Sequence, residues 1–82
     1  MKALITDEHG EYGSIVDAPD NIIMDFKEYL LEFDNYGHPE SWGIKEFINY
    51  LNDVILKGKN EKVTIVELWT NDYDKNLPVL YI

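Results

Sequence analysis

Residues 32–42 read EFDNYGHPESW, and whether a helix runs through this stretch or stops in it decides the fold. Gly37 can adopt the left-handed conformation that ends a helix, and Pro39 cannot carry a helix forward. The stretch is therefore an elbow between two helices. On its N-terminal side, Ile23, Phe26, Leu30 and Phe33 recur at spacings of three, four and three, which predicts an amphipathic helix over 22–36 with one apolar face. Asp20 or Asn21 is expected to cap it after the strand-stopping Ala18-Pro19. On the C-terminal side, Ile44, Phe47, Ile48, Leu51, Val54 and Ile55 follow the same period, predicting a second helix that begins near 38–41 and ends at Gly58.

Outside this pair the periodicity changes to that of strands. Residues 2–7 and 11–17 are short aliphatic and β-branched runs separated by Glu8-His9-Gly10, so they read as an antiparallel hairpin, with Gly13 marking a bulge or early bend. Residues 63–70, VTIVELWT, form the strongest strand. A final strand over 77–82 is placed at an edge by Pro78, which lacks the N–H that an inner ladder needs. The expected fold is α+β, a small two-layer domain in the chain order β-β-α-α-β-β. Its antiparallel sheet is covered on one face by a helical hairpin, and residues 1–82 form a single domain.

Composition narrows the function classes. The chain has no cysteine, which removes disulfides, thiolate metal sites and thiol nucleophiles and suits a cytoplasmic setting. Its start lacks the charge and apolar pattern of a signal peptide, and no run approaches the ~20 apolar residues of a membrane span. The net charge of -9 is uneven: residues 1–41 hold ten acids against Lys2 and Lys27, whereas residues 42–82 hold six acids against five lysines. Such a field repels nucleic acid and anionic membrane and draws in basic proteins at low salt. The bland reading is that the acidity only keeps a small domain soluble.

Recognisable chemistry is sparse. His9 with Asp7, Glu8 and Glu11 has ligand types for a divalent metal but lacks the geometry of a closed site. Asp72-Tyr73-Asp74-Lys75-Asn76 begins like a calcium loop, yet Leu77 stands where the loop requires glycine, and these residues also suit a turn. The chain contains no arginine, no glycine-rich phosphate loop and no nucleophile with a neighbouring base. Neither catalysis, a metal nor a cofactor is expected, although a small metal- or ligand-binding regulatory module remains an alternative.

One constellation survives. Asp25, Glu28, Glu32 and Asp34, continued by Glu40, offer carboxylates along the first helix and into the elbow. Tyr29, Tyr36 and Trp42 are amphipathic aromatics of the kind that anchor interfaces. Carboxylates on successive helical turns are ~5 to 6 Å apart, of the order of the charge spacing along a nucleic-acid strand. These eight residues are the expected partner-binding set, and the expected partner is a basic protein, a nuclease toxin or a nucleic-acid-handling defence enzyme. Direct nucleic-acid or membrane binding is not expected. Asn35-Tyr36-Gly37, leading into a helix with a following Trp42, is loosely similar to the binding segment of barstar-type ribonuclease inhibitors over about a dozen residues. The paired N-terminal strands depart from that fold, so the likeness is one of surface chemistry. A further alternative is an oligomerising subunit that buries Met24, Leu31 and residues 79–82 against copies of itself, which leaves monomer and homodimer both open.

Overall fold

The aliphatic run after Lys2 becomes the centre of a sheet because it can pair on both edges and bury side chains on both faces. A computed structural model describes residues 1–7, 10–35 and 43–82. In it, strand β1 (Lys2–Thr6) pairs antiparallel with β2 (Gly13–Asp17), and β2 pairs antiparallel with β3 (Thr64–Thr70). The last strand, β4 (Val79–Tyr81), lies against the other side of β1, giving the order β3-β2-β1-β4. It runs parallel to β1, so the sheet is mixed. Pro78 immediately precedes this edge strand, and its carbonyl accepts the Leu4 amide at 2.8 Å.

The hairpin loop closes at Gly10, whose φ of 67° is free of steric cost only for glycine. Gly13 is required for a different reason. A Cβ there would lie 2.6 Å from the Leu4 side chain, and the β2–β3 register slips on both sides of Ile15. The bulge expected at Gly13 is thus spread over the next three residues. Beyond it, Trp69 takes a φ of 50°, and its amide donates to the hydroxyl of fully buried Ser14.

The helix layer covers the face carrying Ala3, Ile5 and Val16. The first helical segment is two helices, α1 (Asp20–Met24) and α2 (Phe26–Asn35), with Asp25 between them at φ -104° and ψ 21°. Neither Asp20 nor Asn21 caps α1. Pro19 occupies that position, and its carbonyl accepts the amides of Ile22 and Ile23. The apolar face survives the break: Ile22, Phe26 and Phe33 are buried, and Ile23 and Leu30 pack at the margin of the core.

The second helical segment starts at α3 (Ile44–Tyr50), where the Glu46 carboxylate accepts the Gly43 amide at 2.9 Å. Phe47 is fully buried between Phe26 and Phe33, with centroids 5.3 Å from each, and Phe33 also meets Tyr50. These ring contacts lock α2 onto α3. After Tyr50 the helix widens into a π-helical turn, Leu51–Ile55, closed by the Leu56 amide on the Leu51 carbonyl at 2.8 Å. One extra residue in the turn moves each later position back by one in the helical pattern. Val54, expected inside, is consequently 41% exposed, and Leu56 takes the core position.

From β3 the chain must reach the opposite edge to form β4. Tyr73, Asp74 and Lys75 line a recess with Leu4 and Thr6, which places this crossing on the sheet face away from the helices. The Tyr73 hydroxyl fastens it by donating to the Gly10 carbonyl at 3.0 Å. Among the described residues, no helix is long and apolar enough to cross a membrane.

Candidate functional site

The acidic set divides once it is placed on the fold. Asp25 is the hinge of the helical segment: its amide donates to the Asn21 carbonyl at 3.1 Å, and its own carbonyl accepts the amides of Glu28 and Tyr29. Because the backbone commitments are met through main-chain atoms, its side chain is left exposed at the corner. Glu28 follows in the first turn of α2, where a carboxylate is favoured by the helix dipole. Glu32 follows one turn later, about 6 Å further along the axis. All three are exposed, and none is held in an ion pair with another described residue.

Asp34 is exposed as well, but it stands off this line. Two residues from Glu32 is about 200° around a helix, which puts it on a different flank. Tyr29 is half-buried with its ring against the core, so only part of it faces outwards. Tyr36, Glu40 and Trp42 lie outside the described residues, as does most of the segment with the barstar-like pattern. Glu32 and Asp34 sit in the last turn of α2, which holds no basic residue. Acids there oppose the dipole and cost ~0.3 to 1 kcal/mol each at low salt.

A groove adjoins the first two carboxylates. It is bounded by Ile23, Met24, Asp25 and Glu28 on the helix side and by Val79, Leu80 and Tyr81 on the strand side, with a volume of about 450 Å³. Met24, at 82% exposure, forms its apolar rim on the helix side. Met24 and the last strand are thus neighbours, while Leu31 is exposed further along α2. The break at Asp25 lies within the lining of this groove.

Comparison with protein-family models, curated proteins and solved structures finds no match for this chain. The surface therefore has to be read from its own chemistry.

Two aromatics on the hairpin side escape sequence reasoning. Tyr12 and Trp69 are both about half exposed and share an open recess with Asp7 and Glu11. No sequence signal marks Trp69, because its outward position follows from the bulged β2–β3 register. The Asp72–Asn76 segment is a turn in which the Asp74 carboxylate accepts the Asn76 amide at 2.9 Å. Thr70 braces the same turn by accepting the Asp72 amide at 3.0 Å. Among the described residues no group of three acids or histidines could hold a metal ion. His9 and Glu8 of the hairpin tip lie outside them.

Proposed function

We propose that this protein is an acidic inhibitor that occludes a basic, nucleic-acid-binding surface of a partner protein. The partner class is a nuclease toxin or a nucleic-acid-handling defence enzyme. In the first case the protein acts as an immunity protein, in the second as an anti-defence protein of a phage or mobile element. The observation that carries this reading is the line of exposed carboxylates Asp25, Glu28 and Glu32, none of them in an ion pair with another described residue. The uneven charge supports it, since eight of the nine net negative charges fall within residues 1–41. The placement of Glu32 against its helix dipole supports it too, because an arrangement that costs stability is better explained by a use outside folding.

The test is competition. The immobilised protein is challenged with cell lysate at low salt, retained proteins are eluted with salt, and each is assayed for binding a labelled duplex with and without the inhibitor. The expected result is a basic nucleic-acid-binding protein whose duplex is displaced, with displacement weakened at least about tenfold in the triple variant Asp25→Asn, Glu28→Gln, Glu32→Gln. Retention of no basic protein, or equal displacement by the neutralised variant, overturns the reading.

A further inference from the structure

We infer that the open edge of β4 is a strand-addition site for an extended segment of the partner in which basic and apolar residues alternate. This rests on the basic partner proposed above and specifies how part of it is held. Among the described residues β4 has a strand neighbour on one side only. The Pro78 carbonyl and the Ile82 amide both bond β1, at 2.8 and 3.0 Å to the Leu4 amide and the Thr6 carbonyl. Backbone polar groups of a strand alternate in direction with every residue, so the N–H and C=O groups of Val79 and Tyr81 point to the free edge. Four backbone groups in an extended row are what a recruited strand requires.

The other edge of the sheet is a poorer template. β3 carries the register slips opposite Ile15 and the left-handed residue Trp69, both of which bend a strand out of line. At β4 the register with β1 is unbroken. The groove beside β4 also supplies the side-chain chemistry. A strand laid on this edge directs every second side chain towards the helix layer, where Asp25 and Glu28 offer carboxylates to the basic residues, and the others to the opposite face, where the register with Leu4 and Thr6 places apolar Val79 and Tyr81. Lys27 is the one cation among the residues lining the groove, so the lining remains net negative.

A second copy of this chain is the competing occupant, and charge decides against it. Two molecules of net charge -9 would have to bring their acidic corners together beside a strand of three residues. A basic segment has the opposite electrostatics at the same edge.

The experiment uses the full chain and the blocked peptide Lys-Val-Lys-Val-Lys-Val at a concentration on the order of 1 mM. Amide hydrogen exchange is read at Val79 and Tyr81. The expected result is at least about tenfold slower exchange at both with the peptide, and much less with Ser-Val-Ser-Val-Ser-Val. Tyr81→Pro removes an outward N–H and no bond to β1, so it should fold and lose peptide binding that Tyr81→Ala retains. Four results overturn the proposal. No slowing at Val79 and Tyr81 removes the edge as the site, and so does equal binding by the proline and alanine variants. In either case the competition experiment still stands or falls on its own carboxylate variant. Equal protection by the serine peptide removes the basic occupant, and protection that grows with protein concentration alone assigns the edge to a second copy.

Discussion

Asn52 ties the end of the helical layer to the start of β3 with both ends of one amide. Its carbonyl oxygen accepts the Val63 amide at 2.8 Å, and its NH₂ donates to the Val63 carbonyl at 2.9 Å. The side chain substitutes for a strand partner that Val63 does not have, in a half-buried place where loss of a partner is felt. Asn52→Ala should lower stability by about 1 to 3 kcal/mol, and Asn52→Asp by a comparable amount because only the donor is lost but a charge is gained beside a carbonyl. Urea denaturation of both variants checks this; a change under about 0.5 kcal/mol in each would mean that water replaces the amide without loss. Asn52 falls outside the apolar period of Ile44 to Ile55, and helical period reports which face a residue occupies without information about a partner eleven residues away. Gly13 was legible as an irregularity for the opposite reason: a glycine inside a strand is itself the signal, although what it makes room for, the Leu4 side chain, is not.

Elements were read more reliably than their joints. The two amphipathic periods and the hairpin follow from local pattern, and the two-layer α+β architecture follows from them. The break at Asp25 also has a local signal, since Asp25 and Glu28 have the spacing of a capping pair, but they stand inside a strong apolar period that outweighs it. The π-helical turn has no such signal. It places one residue more than an α-helix needs between Leu51 and Leu56, and its effect is visible only when Val54 turns outwards. An insertion of this kind should be removable. Deleting Asp53, which is exposed within the turn, should restore an α-helical closure and keep Leu56 inward, at a cost within about 1 kcal/mol. Deleting Glu46 from α3 should rotate Ile44 about 100° against Phe47 and every later core residue, and should abolish cooperative unfolding. Circular dichroism and urea titration of the two deletions separate these outcomes; equal damage from both would show that the turn is held by its neighbours in that shape. The joint between β3 and β4 was hidden for a topological reason. Pro78 identifies an edge, but nothing in six residues of strand says which edge or which direction.

At the scale of the whole molecule the decisive quantity is charge relative to size. The radius of gyration is 12.2 Å, the net charge is -9, and among the described residues the N-terminal ammonium with Asp17 at 3.1 Å makes the one ion pair between their charged groups. At ~0.01 M salt the screening length of ~30 Å is comparable with the longest extent of the molecule, 32 Å, so carboxylates repel one another across it; at ~1 M it is ~3 Å, and only immediate neighbours interact. Folding concentrates this charge, so added salt should stabilise the native state by about 1 kcal/mol over that range, which for a domain of this length is a rise of ~4 to 8 °C in Tm. Scanning in sodium chloride measures it, and a flat or falling Tm would show that the carboxylates are spaced widely enough not to strain the fold. The sign matters for function as well. Binding to the proposed basic partner must weaken with salt while the protein itself becomes more stable, so the two trends oppose each other. Loss of partner on raising the salt can then be assigned to screening of Asp25, Glu28 and Glu32 at the contact, since unfolding would move with salt in the other direction.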